Sequence, residues 1–342
     1  MPSVRSSDAV ILPPYAEPRH YELSLTPDMR SFTFDGVVDI VVDILSATSS
    51  LVLHSKELTY YDSTTFTATD GSVTKATSHT TDYGRTTVTF AFGADLAAGE
   101  GGTLHIEFKG ILNNDMCGFY RSTYKTVAGE ERFMLSTQFE ALDARRCFPC
   151  WDEPARKATF GTRLIVDVNL TAFSNMPVTE LTLLAGGKKS LTFAPTPKMS
   201  SYLLAFVIGE FDYLQAHTKD GVAVRVYTPP GQTEQGRFGL DVAVKSIEFY
   251  DECVARSPLC LAHASATTHS PYRTATFVNA RQRASTRSRA LRPGTLLERT
   301  PRCLVNDATT RPGTLGSATL CRSSTWLRFR SSLRARWRTG GS

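Results

Sequence analysis

The sequence predicts a mainly β fold: a layered antiparallel β domain, then the strand–helix opening of a second domain, then a disordered tail. Three observations carry this. From Tyr21 to Val207 apolar and polar residues alternate, with short polar breaks. Between Val222 and Ile247 that period of two gives way to helical spacing. Beyond Cys253 neither period lasts more than a turn or two.

In chain order, Tyr21, Leu23 and Leu25 share one face against Glu22 and Ser24. Val38, Ile40, Val42 and Ile44 alternate with Asp39, Val41 and Asp43, and Leu104, Ile106 and Phe108 with His105, Glu107 and Lys109. Turn clusters separate the runs: Asp70-Gly71-Ser72, Asp82-Tyr83-Gly84 and Gly99-Glu100-Gly101-Gly102. One wet and one buried face per strand is what antiparallel sheets packed in layers require. After the turn Thr218-Lys219-Asp220-Gly221, Val222, Val224 and Val226 alternate toward Pro229-Pro230-Gly231. Leu240, Ala243, Val244 and Ile247 then form a helical stripe, with Asp241, Lys245 and Glu248 opposite and Asp241–Lys245 at the favourable i, i+4 spacing. The expected divisions are 1–213 for the β domain, 214–252 for the start of the second, and 253–342 for the tail.

Charge divides the same way. Residues 1–252 hold 22 Lys and Arg against 31 Asp and Glu, whereas residues 253–342 hold 16 Arg, no Lys, and only Glu298 and Asp307 as acids. The whole-chain net charge of +5 hides this asymmetry. An acidic domain suits a cationic or free-amine ligand better than nucleic acid. The Arg-rich tail fits either a basic interaction arm or a stretch never selected as protein. No apolar leader follows Met1 and no run is long enough to span a bilayer, so a cytoplasmic, reducing setting with free thiols is expected, without membrane or nucleic-acid partners. Cys147-Phe148-Pro149-Cys150 is formally a C-x-x-C, but the other five cysteines form no second pair, so redox or metal use is not expected. His54 and His105 fall in or beside strands and read as hydrogen-bonded or solvated, while His20 and His217 have no partner at ligand spacing. His263 and His269 lie six residues apart with no glutamate between, which on a helix puts them on different faces. No residue is assigned to catalysis or to metal.

The densest chemistry lies in Ser136-Thr137-Gln138-Phe139-Glu140-Ala141-Leu142-Asp143-Ala144-Arg145-Arg146-Cys147-Phe148-Pro149-Cys150-Trp151-Asp152-Glu153-Pro154. Acceptors, fixed cations and aromatics alternate there, and two prolines restrict the backbone. Gln138 and Glu140 are two residues apart, so in an extended segment they address one ligand; alternatively both hydrogen-bond their own loop. Asp143, Arg145, Asp152 and Glu153 read as the scaffold of that loop.

This run, T-Q-F-E-A-x-D-A-R-R-x-F-P-C-W-D-E-P, resembles the signature of the zinc aminopeptidases of the puromycin-sensitive and aminopeptidase N type. The likeness takes in Gly118–Ser122, Lys157–Phe160, Ser174–Pro177, Thr196–Phe206 and Val224–Gly231, and stops after Glu252. It implies a thermolysin-like catalytic domain opening with the strand and helix after residue 213. It also implies removal of N-terminal residues from peptides by a zinc-bound water, zinc being the family's cofactor and peptide N-termini its partners. Glu140 would pair with the substrate's α-ammonium and Gln138 would line the first specificity pocket. Neither H-E-x-x-H nor G-A-M-E-N occurs in the 342 residues, so the chain as encoded is expected to bind no zinc and to be inactive. The alternative is a non-enzymatic peptide-binding or regulatory fragment; the oligomeric state stays open. Codons can be chosen for Arg334–Gly341 that, one base out of register, spell Gly-Ala-Met-Glu-Asn-Trp-Gly. The expectation is therefore a truncated or frame-shifted reading after Glu252.

Overall fold

A computed structural model describes residues 10–255 and 274–278 of the chain. In chain order the strands are β1 (Ala16–Asp28), β2 (Thr33–Ile44), β3 (Thr48–His54), β4 (Thr59–Tyr60), β5 (Thr65–Thr67), β6 (Val73–Asp82), β7 (Thr87–Leu96), β8 (Gly99–Ile111) and β9 (Gly118–Lys125). They continue with β10 (Glu131–Gln138), β11 (Thr159–Asp167), β12 (Thr171–Ser174), β13 (Val178–Leu184), β14 (Lys188–Phe193), β15 (Phe206–Gly209), β16 (Asp212–His217), β17 (Ala223–Thr228) and, after the helix α1 (Arg237–Ala255), β18 (Thr274–Val278).

Eleven strands join one sheet in the order β13-β14-β11-β1-β2-β8-β5-β6-β7-β3, with β4 beside β8. A four-stranded sheet runs β12-β15-β10-β9, and a three-stranded one β16-β17-β18. Pairing in the large sheet is antiparallel except between β1 and β11, where Tyr21 stands beside Phe160 in parallel register. The expected faces hold: Tyr21, Leu23, Leu25, Val38, Ile40, Val42, Leu104, Ile106 and Phe108 are all buried. On that face the ring of Phe34 lies over Gly110, its register partner across β2 and β8. A Cβ there would meet the ring at 2.1 Å, so only glycine fits.

Aromatic rings join the large sheet to the four-stranded one. Phe34 of β2 meets Phe119 of β9 at 5.2 Å between centroids, and Phe119 meets Phe206 of β15 at 4.9 Å. Tyr21 stacks on Phe160 at 4.9 Å. Such pairs contribute about 0.5–1.5 kcal/mol each beyond the area they bury. One continuous core spans both sheets.

The three-stranded sheet has its own small core of Val224, Val226, Leu240 and Ala243, against which Leu214, Val244 and Ile247 pack. The helical stripe read from the sequence is thus the face α1 buries. The expected Asp241–Lys245 pair is not formed: both side chains are exposed and no ion pair joins them. Instead, α1 is tied to the turn before β17. Glu248 accepts the Lys219 backbone N–H at 2.8 Å, and Glu252 pairs with the Lys219 ammonium.

The expectation of disorder from residue 253 falls mostly outside the described residues. Within that stretch, Thr274–Val278 forms β18 and pairs parallel with β17, Val226 facing Phe277. Two parallel strands and a helix lying between them in sequence make a β-α-β unit. No helix among the described residues is long and apolar enough to cross a membrane.

Candidate functional site

The loop after β10 is held from both sides. β10 pairs with β9 in a continuous antiparallel register that places Gln138 opposite Gly118. On its other edge Leu135 and Ser136 pair with β15, and the Phe206 N–H donates to Thr137 Oγ1 at 3.0 Å. The strand ends at Gln138, and the chain turns through residues 140–143 as the Asp143 N–H donates to the Phe139 carbonyl at 2.9 Å. The Glu140–Ala141 peptide bond within this turn is cis.

This turn changes the expected geometry of the two predicted site residues. An extended segment would direct Gln138 and Glu140 the same way, but the strand stops between them. The Gln138 amide instead donates to the Glu140 carbonyl at 3.3 Å. Glu140 is exposed, and its carboxylate has no ion-pair or hydrogen-bond partner among the described residues. Phe139, between them, is buried against Phe148 and Phe206 at 6.1 and 6.0 Å. One buried ring therefore pins the backbone on which an unengaged carboxylate stands.

The scaffold residues behave as read. The Arg145 Nε donates to Asp152 Oδ2 at 2.9 Å, with both side chains buried, and Arg145 Nη1 donates to Thr86 Oγ1 at 2.7 Å. Ser201 Oγ donates to the other Asp152 oxygen at 2.8 Å. Arg146 Nε donates to Asp143 at 2.7 Å, and Arg146 also pairs with Glu57. The Leu12 N–H donates to Glu153 Oε1 at 2.8 Å. Asp143 and Asp152 thus each have a cation, and Glu140 has none among the described residues.

His54, expected to be hydrogen-bonded in or beside a strand, is fully buried in this network. Its backbone bridges Cys150 in both directions, its Nδ1 accepts the Asp152 N–H at 3.2 Å, and its Nε2 donates to the Val10 carbonyl at 3.0 Å. Burial, with the Arg145 cation second, lowers its pKa. Tyr21 accepts the Trp151 N–H at 3.2 Å through its hydroxyl. His54, Tyr21, Thr86 and Ser201 lie 49 to 130 residues from their partners and carry no local signal of this role. Only Ser201 falls in a segment the family likeness had marked.

Cys147 and Cys150 are free thiols, both fully buried, and burial pushes each well above the ordinary thiol range. A thiol held protonated is a poor nucleophile and a poor metal ligand. Among the described residues no three His, Cys, Asp or Glu side chains cluster closely enough to hold a metal ion. His20 bonds Thr159 Oγ1 at 2.7 Å and His105 bonds Asp39 at 2.7 Å, on separate strands. The donor set among the described residues does not fit zinc.

A turn braced by the buried Arg145–Asp152 pair thus carries an exposed carboxylate that has no partner among the described residues. The profile of the Peptidase M1 N-terminal domain matches residues 17–203, and the chain belongs to that family. It is 45% identical over 242 residues to puromycin-sensitive aminopeptidase of Caenorhabditis elegans, covering 70% of this chain and 25% of that one. It is 44% identical over 246 residues to aminopeptidase M1 of Arabidopsis thaliana, covering 71% and 28%. With the alanine/arginine aminopeptidase of Saccharomyces cerevisiae it shares 37% over 244 residues, covering 71% and 28%. The chain spans about a quarter of the length of these curated relatives.

Proposed function

We propose that residues 1–213 are the amine-reading domain of a zinc aminopeptidase that removes N-terminal residues from peptides, and that 214–252 open its catalytic domain. In this reading Glu140 pairs with the peptide's α-ammonium and Gln138 lines the pocket for its first side chain. The observation that carries it is the unpartnered, exposed Glu140 carboxylate on a turn whose neighbouring acids each hold a cation. A carboxylate kept free beside such a scaffold is available to a ligand cation. The 342 residues hold no H-E-x-x-H, so the chain as encoded reads an amine without hydrolysing the peptide. The second reading, a non-enzymatic peptide-binding or regulatory fragment of such an aminopeptidase, rests on the same exposed Glu140 carboxylate, which needs no metal to hold an amine.

An exposed carboxylate–ammonium pair contributes about 0–1 kcal/mol, so the contact is weak and suits detection by NMR at millimolar ligand. Free-amine dipeptides are expected to shift the backbone signals of residues 138–143, and the same dipeptides N-acetylated to leave them in place. Glu140→Gln should abolish the response. Equal shifts with free and acetylated dipeptides would overturn the assignment.

A further inference from the structure

The large sheet ends in two edge strands of opposite character. At β3, Leu51, Leu53 and His54 are buried. At β13 all seven residues are exposed, including Leu181, Leu183 and Leu184, which are 56%, 72% and 40% accessible. The outer backbone N–H and C=O groups of an edge strand are open to another strand, and proteins block such edges with charge, proline or bulges. Here the bulge lies at the start, between Val178 and Glu180, and Glu180–Leu184 runs in unbroken register beside β14 with one charged residue.

We propose that β13 is a dimerisation edge that pairs antiparallel with β13 of a second copy of this chain, about a two-fold axis at Thr182. That axis bisects the regular run. It sets Leu181 opposite the second copy's Leu183, twice, on the face where Leu191 of β14 is already buried. It sets Glu180 opposite the second copy's Leu184, whose neighbour on β14 is Lys188. Each carboxylate therefore lies toward Lys188, which also pairs with Asp167 of its own chain at 3.2 Å, and not toward its own copy, which an axis at Glu180 would enforce. A closed two-fold pairing occupies β13 of both copies, so pairing through this edge stops at two chains. Strand addition supplies backbone hydrogen bonds as affinity and alternate side chains as specificity. One strand pair buries far less than the ~1,600 Å² of a standard interface, so the dimer is weak and concentration-dependent.

Sedimentation of the full 342-residue chain over a concentration series tests this. A monomer–dimer equilibrium with no larger species is expected. Leu181→Lys combined with Leu183→Lys places lysines opposite lysines and should weaken association at least ~10-fold, with an unchanged thermal midpoint. Leu181→Glu combined with Leu183→Lys should restore it, because the proposed register then pairs opposite charges twice. Thr182→Cys gives a measurement independent of those variants. Directly opposed residues lie about 4.5–5.5 Å apart between Cα atoms, within disulfide reach, so mild oxidation should yield a covalent dimer that the parent chain does not form. A monomer at every concentration, open-ended oligomers, failure of the charge swap to restore pairing, or no crosslink at Thr182→Cys would each overturn the proposal.

Discussion

His54 offers Nδ1 as an acceptor to the Asp152 amide and donates from Nε2 to Val10, so it sits in the network as the neutral Nε2–H tautomer. Protonation would turn Nδ1 into a donor facing another donor, beside the Arg145 cation. The folded pKa is therefore lowered, by burial first and by Arg145 second, while the unfolded chain keeps the ordinary value of about 6.5. Below that value the unfolded state binds the extra proton, so stability present above about pH 6.5 drains away as pH falls toward the folded pKa. Unfolding free energy should fall as pH falls through that window, by at most about 1.4 kcal/mol per unit for this one proton. His54→Gln, which keeps one donor and one acceptor, should flatten this dependence; equal slopes in urea titrations of both proteins would refute the linkage. Asp152 sits at the centre of the same network. Asp152→Ala leaves the buried Arg145 guanidinium without its counter-charge and should cost about 3–5 kcal/mol in chemical unfolding.

At the scale of elements, the strands were legible because burying one face imposes a period of two that needs no knowledge of the partner. The partner itself was not legible. Nothing in Tyr21–Leu25 announces that β1 pairs parallel with β11 some 140 residues later, and Thr274–Val278 is too short and too unremarkable in composition to announce β18. The candidate site divides in the same manner. Asp143, Arg145, Asp152 and Glu153 could be read as loop scaffold because their partners lie mostly in or near the loop, whereas His54, Thr86 and Ser201 could not. The extended geometry expected through Glu140 failed for a physical reason: buried Phe139 and the Phe139–Asp143 hydrogen bond turn the chain just after Gln138. Gly118, opposite Gln138, belongs to the same support. Its φ is +67°, and an added Cβ would sit 2.7 Å from the Arg146 Cβ, an atom no rotamer can move. Gly118→Ala should therefore cost roughly 1–3 kcal/mol. It should also displace Arg146 from Asp143, seen as altered amide shifts across 140–146. An unchanged melting midpoint would show that the turn relaxes freely.

For the whole molecule, the proposed reading separates recognition from chemistry. Peptide hydrolysis at neutral pH by a metal-bound water depends on lowering that water's pKa from the bulk value to about 7, and a loop carboxylate that holds an amine does not supply this. The described residues offer no three-ligand cluster, and the sequence carries no H-E-x-x-H anywhere in its 342 residues. The purified chain should accordingly hold substoichiometric zinc by elemental analysis after dialysis against metal-free buffer, and should leave fluorogenic aminoacyl reporters intact. In a longer chain supplied with the G-A-M-E-N segment and a metal helix, both properties should appear. There, Glu140→Ala should lower kcat/KM for free-amine substrates while zinc content stays at the parent level, because that carboxylate is assigned to the substrate's ammonium and not to the metal. A fall in zinc with Glu140→Ala would place the residue in the metal site instead. Reporter hydrolysis by the 342-residue chain, blocked by a chelator and reproduced in a preparation free of host peptidases, would show that the chain carries its own metal chemistry.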